Sequence, residues 1–342
     1  MYIANATGCS SIWGGSSPST PYTVNAEGKG PAWANSLFED NAEFGYGMAL
    51  AQRAMRARLI SSVEALSKVV DKEDVKAACE KYLETKSNSG ANAVASKELI
   101  KALEACDCDN ADRAAILRDK DFLSKKSQWI FGGDGWAYDI GFGGLDHVIA
   151  SGENVNILVF DTEVYSNTGG QSSKATPTGA IAQFAANGKE ARKKDLAAIA
   201  MSYGNVYVAQ IAQGADFNQC LKAFIEAENY DGPSIIIAYS PCISHGIKGG
   251  MMGAQNEEKR AVQAGYWHLF RFDPRLADEG KNPFQLDSKQ PTADYKEFLN
   301  SEVRYSRLSR SYPERAEYLF DKAAKDAKEK YEQLAYKAGR AE

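Results

Sequence analysis

The sequence lacks the features that define several broad classes of protein. Its 342 residues include six cysteines and three histidines, and no Cys-x-x-Cys pair occurs. Six irregularly spaced cysteines in a long chain indicate reduced thiols or metal ligands, and they do not form the pattern of a disulfide framework. The acidic stretch Cys106-Asp-Cys108 predicts an exposed turn between helices.

Long apolar runs and an excess of positive charge are also lacking. No stretch approaches the roughly 20 apolar residues that a membrane-spanning helix needs, and the first residues do not show the charged-then-apolar pattern of a secretion signal. A formal net charge of −5 gives no reason to expect a nucleic-acid partner. The basic stretch Lys189–Lys194 is interpreted as a solvated helix face. We therefore expect a cytoplasmic protein that binds neither membranes nor nucleic acid.

What is present indicates an α/β domain. Buried strands are predicted at 127–131, 155–160, 206–211 and 234–239, and helical segments separate them. Such alternation predicts a mostly parallel sheet flanked by helices. We predict one domain over residues 1–342, with a helical insertion at about 50–125 and a C-terminal surface segment and helix at about 271–342. Apolar residues at helical spacing from Leu37 to about Val70 support the insertion.

Two polar motifs directly follow two of the predicted strands. In the first, Gly133-Asp134-Gly135, the glycines fit a phosphate-binding turn, but Tyr138 is too large for the third position of a dinucleotide fingerprint. Asp134 would repel a diphosphate unless a cation lay between them, and Mg²⁺ prefers such oxygen ligands. The second motif supplies the Thr162 hydroxyl and the Val164 carbonyl as further ligands. Either motif alone is also compatible with glycine turns that close an ordinary α/β sheet.

Taken together, three stretches resemble pyruvate:ferredoxin (flavodoxin) oxidoreductase. They are residues 132–141, 161–177 and 239–246. The resemblance runs from Ala4 to about Pro313 and is to the C-terminal, thiamine-diphosphate-binding domain of that enzyme. Thiamine-diphosphate enzymes hold Mg-diphosphate with Gly-Asp-Gly and a later polar turn, in which Asn-Asn is commoner than the Thr162 found here.

The resemblance implies a set of site residues. Asp134, Thr162 and Val164 would bind Mg²⁺, and Asn167 would be catalytic by orienting the substrate or the developing oxyanion. The residues expected to contact the cofactor are Cys9, Gly133, Asp134, Gly135, Trp136, Thr162, Glu163, Val164, Tyr165, Ser166 and Asn167.

The resemblance also implies a 4Fe–4S cluster with Cys9 and Cys242 among its ligands. Such a cluster needs four thiolates, so this chain would supply two of the four. The implied activity is oxidative decarboxylation of pyruvate to acetyl-CoA and CO₂, with electrons passed to ferredoxin or flavodoxin. The expected partners are the remaining domains of the enzyme, pyruvate, CoA, the electron acceptor and a second copy of the chain. We expect the isolated chain to be inactive.

Two alternatives remain open. Instead of a C-terminal portion of the large enzyme, the chain could be the thiamine-binding subunit of a heteromeric 2-oxoacid:ferredoxin oxidoreductase, or a non-catalytic module without a cluster. The absence of a Cys-x-x-Cys pair counts against the first alternative, because such a subunit is expected to carry its own pair. The iron content and visible absorption of anaerobically purified protein would distinguish these possibilities.

Overall fold

A computed structural model of the chain describes residues 1–13, 24–26 and 28–340. The chain forms two compact units. The first, called the helical unit below, comprises Met1–Tyr2 and Tyr46–Gln128. The second, called the sheet unit, comprises Ile3–Gly45 and Trp129–Glu342. The domain organisation inferred from the sequence, one domain with a helical insertion, stays a prediction.

Within the described residues, eight strands form one sheet. The strands are β1 (Tyr2–Ala6), β2 (Ala32–Ser36), β3 (Gln128–Gly133), β4 (Asn156–Asp161), β5 (Tyr207–Ile211), β6 (Ser234–Tyr239), β7 (Phe270–Phe272) and β8 (Phe284–Leu286). Their order across the sheet is β2-β1-β3-β4-β6-β5-β7-β8.

The helices of the described ranges connect and flank these strands. They are α1 (Cys9–Trp13), α2 (Asn41–Val69), α3 (Glu73–Thr85), α4 (Ser89–Ala105), α5 (Ala111–Arg118), α6 (Phe142–Ala150), α7 (Leu196–Met201), α8 (Phe217–Glu228), α9 (Ala254–Gln263), α10 (Arg275–Asp278), α11 (Tyr295–Leu299), α12 (Val303–Ser311) and α13 (Pro313–Lys337). A π-helical turn spans Gly135–Ile140, and short 3₁₀ turns span Lys120–Phe122, Ile243–His245 and Met251–Gly253.

The helical unit has its own apolar core. Asn88 and Asn110 cap α4 and α5 by accepting main-chain N–H bonds, which satisfies donors that a helix start otherwise leaves free. Apolar faces then meet in a core that includes Leu59, Val63, Leu66, Val75, Tyr82, Leu99, Leu103, Ile116 and Leu123. The helix predicted from the periodicity of residues 37–70 is confirmed as α2.

The two neighbouring cysteines of the helical unit lie between α4 and α5, as predicted, and Asp107 between them is exposed, but the segment is not exposed throughout. Cys106 is 2% exposed and belongs to the apolar core. Cys106 and Cys108 are joined as a disulfide, whereas the sequence indicated reduced thiols or metal ligands. The acidic residue between them suggested exposure, but Cys106 itself is part of the core.

The centre of the sheet is parallel. β3 pairs with β4, β4 with β6, and β5 with β6, all in parallel. The runs Asn-Ile-Leu-Val-Phe-Asp in β4 and Ser-Ile-Ile-Ile-Ala-Tyr in β6 are almost entirely buried, as expected for strands covered on both faces. α7 and α8 pack on β5 and β6. The predicted α/β class with a mostly parallel sheet is confirmed.

The surface segment predicted to begin at about residue 271 lies only partly at the surface. β7 pairs antiparallel with β5, and β8 pairs antiparallel with β7. Phe270, Phe284 and Leu286 are buried. The burial of these apolar side chains favours the two short strands, although the neighbouring prolines suggested an irregular surface segment. The final helix α13 buries one face. No helix of the described ranges has the length and apolar character needed to cross a membrane.

Candidate cofactor and metal site

The candidate site lies where neighbouring parallel strands end. In the sheet register, Gly133 of β3 lies opposite Phe160 of β4, and Asp161 of β4 lies opposite Tyr239 of β6. The segments that follow these three strands therefore share one edge of the sheet, which is where parallel sheets place their ligands. These segments contain Asp134, residues 162–171 and Cys242.

Three predicted metal ligands bring oxygen atoms close together. The Thr162 Oγ1 lies 2.7 Å from Asp134 Oδ1 and 3.0 Å from the Val164 carbonyl oxygen. Because a hydroxyl has a single proton, it donates to one of these acceptors and presents lone pairs to the other. The second carboxylate oxygen, Asp134 Oδ2, accepts a hydrogen bond of 2.7 Å from the Ser173 hydroxyl.

The spacing of these oxygens fits a small, hard cation. Mg²⁺ takes octahedral oxygen ligands at about 2.0–2.1 Å, so adjacent ligands lie about 2.9–3.0 Å apart. The separations of 2.7 and 3.0 Å around Thr162 Oγ1 are close to that spacing. One carboxylate, one hydroxyl and one carbonyl also form a donor set typical of Mg²⁺, which keeps further positions for phosphate oxygens and water. That the site binds magnesium stays a prediction.

The Asp134 carboxyl group is completely buried. Burial, followed by the negative charge of Asp161, raises the pKa of Asp134 to about 7, although hydrogen bonds from Thr162 and Ser173 and the charge of Lys193 act in the opposite direction. A cation in contact with the carboxylate favours its ionised form. The buried carboxylate and a metal ion would therefore stabilise each other.

Glycines let two aromatic rings approach the turn after β3. A Cβ atom at Gly135 would lie 2.6 Å from Tyr165 Cδ1, and one at Gly132 would lie 2.3 Å from the Trp136 ring. Both distances are far shorter than normal van der Waals contacts, so a side chain at either position would displace the ring. At Gly133 the nearest atom is the Phe160 carbonyl oxygen at 3.9 Å, and this side of the turn has more space.

Trp136, which the sequence predicts to contact the cofactor, is completely buried. Its ring lies against Gly132 and against Gly141, where a Cβ atom would be 2.2 Å from Trp136 Cδ1. The indole Nε1 is buried and has no hydrogen-bond partner among the described residues. Trp136 lies in the π-helical turn Gly135–Ile140, a conformation often found at functional sites. The structure gives Trp136 a packing role, and its cofactor contact stays a prediction.

The loop after β4 folds back on itself. The Tyr165 N–H donates to the Gln171 carbonyl at 2.9 Å, and the Gly170 N–H donates to the Tyr165 carbonyl at 2.8 Å. Gly169 and Gly170 have φ angles of 125° and 80°, which favour glycine. Asn167, the predicted catalytic residue, is exposed in this turn. Its side chain is therefore open to a ligand, and its catalytic role stays a prediction.

Glu163 lies between two of the predicted metal ligands, but its side chain is buried among other charged groups. Its carboxylate accepts hydrogen bonds from Lys193 Nζ at 3.1 Å, Tyr266 Oη at 2.6 Å and Arg304 Nη2 at 2.7 Å. Burial raises the pKa of Glu163, but the charges of Lys193, Arg304 and His245 outweigh this effect and hold the pKa well below its usual range. The predicted contact of Glu163 with the cofactor stays a prediction.

Lys193 corrects the interpretation of Lys189–Lys194 as a solvated helix face. Residues 189–194 are not helical, and the Lys193 side chain is only 24% exposed. Its Nζ lies 2.8 Å from Asp161 Oδ2 and 3.1 Å from Glu163 Oε1. Two buried acids therefore account for the position of this lysine.

Sequence reasoning did not identify Tyr266 and Arg304 as part of the site. They are 103 and 141 residues from Glu163 in the sequence. No local spacing or motif connects residues so far apart, and only the packed structure brings them together. The pairing of one arginine with two buried acids, Glu163 and Glu302, had no recognisable signal in the sequence.

Cys9 and Cys242, the predicted cluster ligands, both lie beside Ser166. Cys9 Sγ is 3.3 Å from Ser166 Oγ, and Ser166 also hydrogen-bonds the Cys242 thiol. Burial raises the pKa of Cys242, but the hydrogen bond and charge of His245, together with Ser166 and the Ser244 N–H, lower it to about 6. Thiolates are the form that binds iron, so this environment suits a ligand.

His245 is fully buried next to Cys242. Its Nδ1 lies 3.1 Å from the Cys242 main-chain nitrogen, and in the neutral imidazole it accepts a hydrogen bond from that N–H. Burial and the charge of Arg304 lower its pKa, but Glu302, Cys242 and Glu163 together raise it to about 9.

Across the described residues, no group of three or more His, Cys, Asp or Glu side chains is arranged to hold a metal ion.

A family model described as "Thiamine pyrophosphate enzyme, C-terminal TPP binding domain" matches residues 108–238. This range contains Asp134, Thr162 and Val164, whose oxygens meet at the sheet edge. Cys9 and Cys242 lie outside the matched range. The family match therefore bears on the diphosphate and metal part of the site.

Nearly the whole chain is similar to parts of longer enzymes. Pyruvate:ferredoxin oxidoreductase of Moorella thermoacetica is 59% identical over 97% of this chain and 29% of its own length. Pyruvate-flavodoxin oxidoreductase of Klebsiella pneumoniae is 54% identical over 99% of this chain and 29% of its own length. The mitochondrial pyruvate dehydrogenase (NADP+) of Euglena gracilis is 51% identical over 93% of this chain and 18% of its own length.

The chain thus spans less than a third of the length of the curated relatives it matches. The resemblance seen in the sequence is confirmed. A solved structure of 2-oxoglutarate:ferredoxin oxidoreductase from Magnetococcus marinus aligns with a TM-score of 0.41 and 14% identity, over 90% of this chain and 76% of that chain. This score is too low to establish a shared fold.

Proposed function

Because nearly the whole chain is similar to one segment of pyruvate:ferredoxin and pyruvate-flavodoxin oxidoreductases, we propose that it binds Mg²⁺ and thiamine diphosphate for such an enzyme. The reaction is the oxidative decarboxylation of pyruvate to acetyl-CoA and CO₂, with electrons passed through a 4Fe–4S cluster to ferredoxin or flavodoxin. When bound, thiamine diphosphate supplies the electron sink for the loss of CO₂.

The observation that carries this proposal is the meeting of three oxygen donors from two strand ends. Asp134 follows β3, whereas Thr162 and Val164 follow β4, and their oxygens lie 2.7 and 3.0 Å apart around the Thr162 hydroxyl. These residues would hold the metal, which would supply positive charge to offset the negative charge of the diphosphate. Ser173 orients Asp134 by donating to its second carboxylate oxygen at 2.7 Å.

Asn167 and the turn around it face the substrate in this proposal. The side chain is exposed, and an amide N–H group there stabilises a developing oxyanion by donating a hydrogen bond. The proposed cofactor contacts are those of the two strand-end turns and of the first cysteine: Cys9, Gly133, Gly135, Trp136, Glu163, Tyr165 and Ser166.

Cys9 and Cys242 supply two of the four thiolates of the proposed cluster. Both lie beside Ser166, and the low pKa of Cys242, about 6, favours the thiolate that iron binds. The sequence contains no Cys-x-x-Cys pair. We propose that the other two ligands come from a further part of the enzyme or from a partner.

The isolated chain is proposed to bind Mg-thiamine diphosphate weakly and not to turn over pyruvate. It spans about 29% of the length of its pyruvate:ferredoxin and pyruvate-flavodoxin relatives, and the whole reaction is expected to need the rest of the enzyme. The proposed partners are those remaining domains, pyruvate, CoA, ferredoxin or flavodoxin and a second copy of the chain in a homodimer. A cytoplasmic location is part of the same proposal.

Calorimetric titration with Mg²⁺ and thiamine diphosphate tests the proposal. The isosteric change Asp134→Asn removes the metal-binding charge and is expected to weaken binding by about tenfold or more, since even changes around the ligands of a metal cost 10- to 100-fold. The control Asp146→Asn changes a carboxylate in α6 that accepts a 2.8 Å bond from Tyr203 and should leave affinity unchanged. Equal affinity in wild type and Asp134→Asn would refute the metal site.

A second assay tests the expected inactivity. The isolated chain is incubated with pyruvate, CoA, Mg-thiamine diphosphate and an artificial electron acceptor, and acetyl-CoA is measured. We expect none. Formation of acetyl-CoA would show that the chain alone contains the complete catalytic machinery.

A further inference from the structure

Glu163 belongs to two parts of the site at once. Its main chain lies in the segment Thr162–Val164, called the metal loop here. Its side chain points toward the segment Cys242–Gly246, called the cysteine loop. There Glu163 Oε2 lies 3.7 Å from His245 Nε2, and the other ring nitrogen of His245, Nδ1, lies 3.1 Å from the Cys242 main-chain nitrogen.

The same carboxylate is held by the start of α12. Arg304 Nη2 lies 2.7 Å from Glu163 Oε2, and Arg304 Nε lies 2.6 Å from Glu302 Oε2. The neighbouring Val303 N–H donates to the Gly246 carbonyl at 2.9 Å. The beginning of α12 is therefore bonded to the Glu163 side chain and to the end of the cysteine loop.

The main chain of Glu163 is also fixed. Its φ angle of 60° lies in the left-handed region, which few residues other than glycine adopt. The Thr176 hydroxyl donates to the Glu163 carbonyl at 2.6 Å, and the Glu163 N–H donates to Asp161 Oδ1 at 3.2 Å. A costly backbone conformation persists only where its surroundings determine it, and here both the main chain and the side chain are restrained.

From these contacts we propose that Glu163 is a positioning residue that links the metal loop to the cysteine loop through His245 and Arg304. The inference rests on the proposed function, because the link matters if Mg-diphosphate binds at one loop and the cluster at the other. Electron transfer from the cofactor to the cluster then depends on the distance between the two loops, which the buried Glu163 carboxylate keeps constant. Charged pairs in a protein interior often add little net stability compared with apolar residues, so a role in specifying geometry accounts for keeping this one.

Hydrogen exchange followed by mass spectrometry on the 342-residue chain tests the link without any cofactor. Glu163→Gln removes the charge and weakens the bonds to Arg304 and Lys193. We expect exchange to become about tenfold faster in peptides covering both 162–166 and 242–246, because a hydrogen bond to a charged group contributes about that factor or more. Affinity for Mg-thiamine diphosphate, measured by calorimetry, should fall about 10- to 100-fold.

The matched control is Glu226→Gln. Glu226 in α8 is bonded to an arginine and a tyrosine, as Glu163 is: its carboxylate accepts from Arg271 Nη1 at 2.7 Å and from Tyr207 Oη at 2.8 Å, and neither partner belongs to the two loops. It should leave exchange in both loops and cofactor affinity at wild-type values. If the two variants change the loops equally, or if Glu163→Gln speeds exchange in one loop and not in the other, the link is wrong.

Two further measurements cover the cases in which the Glu163→Gln variant does not fold or the wild-type chain does not bind the cofactor. If Glu163→Gln does not fold, Tyr266→Phe removes the 2.6 Å bond to Glu163 Oε2, together with the bonds of the same hydroxyl to Arg304 Nη2 at 2.9 Å and Tyr305 Oη at 3.0 Å. It leaves the Glu163 charge in place and should give a smaller change of the same kind in both loops; no change in either loop overturns the link. If the wild-type chain does not bind Mg-thiamine diphosphate, the proposed function fails, whereas the exchange measurement still decides whether Glu163 joins the two loops.

Discussion

The helical unit and the sheet unit bury different kinds of side chain. In the helical unit the core is apolar, and Leu99, Leu103 and Ile116 are completely buried in it. Among the residues that the structure describes, the buried Asp, Glu and Arg side chains all lie in the sheet unit: Asp134, Asp161, Glu163, Glu257, Glu258, Arg271, Asp273, Glu302 and Arg304.

This difference agrees with the proposal that the sheet unit holds the cofactor and metal site. A buried charge loses its hydration, and its partners only sometimes repay that cost. A fold selected for stability alone can use apolar residues, as the helical unit does. The sheet unit instead holds charges beside the oxygen donors and cysteines of the candidate site, where pKa values and positions matter.

The largest expected effect comes from breaking the buried charge cluster at Arg304. Arg304→Met leaves Glu163 and Glu302 buried without the arginine that lies 2.7 and 2.6 Å from them. Removing one partner of a buried ion pair costs about 3–5 kcal/mol. The loss can be measured as the free energy of unfolding in urea, followed by tryptophan fluorescence, because all five tryptophans lie in the sheet unit.

A second arginine in α12 serves as the control, because an Arg-to-Met change there alters helix propensity without breaking a buried ion pair. Arg307 is exposed, and Arg307→Met should change the free energy of unfolding by no more than about 0.5 kcal/mol. If Arg304→Met lowers the free energy of unfolding by less than about 1 kcal/mol, the Arg304 charge is not needed to compensate the two acids. The buried charges of the sheet unit would then not differ in energy from the exposed charges of the helical unit.

A smaller effect is expected from acid, and it should again arise in the sheet unit, where all three histidines lie. Burial, followed by the charge of Lys330, lowers the pKa of His268 to about 4, against a hydrogen bond with the Ala327 backbone that raises it. The unfolded chain, with an ordinary histidine pKa near 6.5, takes up the proton first as the pH falls. The contribution of His268 to stability is therefore complete above pH 6.5 and is lost as the pH falls toward 4.

The size of that loss can be measured by comparing His268→Gln with wild type at pH 7 and about pH 4.5. The wild type should lose about 2–3 kcal/mol more than the variant between the two conditions. Urea unfolding followed by tryptophan fluorescence gives both values. Equal losses of stability in the two proteins would mean that folding does not lower the pKa of His268.

The two kinds of interior also differ in how far the sequence predicts them. The core of the helical unit follows from apolar residues at helical spacing, since α2 is local and periodic. The strand-end turns at Gly133–Gly135 and Thr162–Val164 were also predictable, because parallel strands place their ends together whatever the rest of the chain does. The two polar motifs and the family resemblance predicted that Thr162 and Asp134 share a site, and the parallel pairing of β3 with β4 places their side-chain oxygens 2.7 Å apart.

The buried charge cluster was not predictable in this way. Lys193 stands in a basic stretch that is typical of exposed surface, and its position depends on Asp161 and Glu163 being buried beneath it. Arg304 is 141 residues from Glu163. One sequence contains many arginines and many acids, and only packing decides which of them are paired.

The smallest expected effect comes from an ion pair of the helical unit and tests the opposite side of the contrast. Lys81 in α3 lies 2.7 Å from Glu98 in α4, but their side chains are 52% and 47% exposed. Water screens the attraction, and holding two long side chains in one geometry costs entropy, so such pairs contribute about 0–1 kcal/mol to the free energy of unfolding.

A double-mutant cycle with Lys81→Met, Glu98→Gln and the double variant isolates the coupling energy of this ion pair, which can be followed by hydrogen exchange of peptides from 73–105. We expect a coupling below about 0.5 kcal/mol. A coupling comparable to the cost of Arg304→Met would mean that burial is not what separates the charges of the two units.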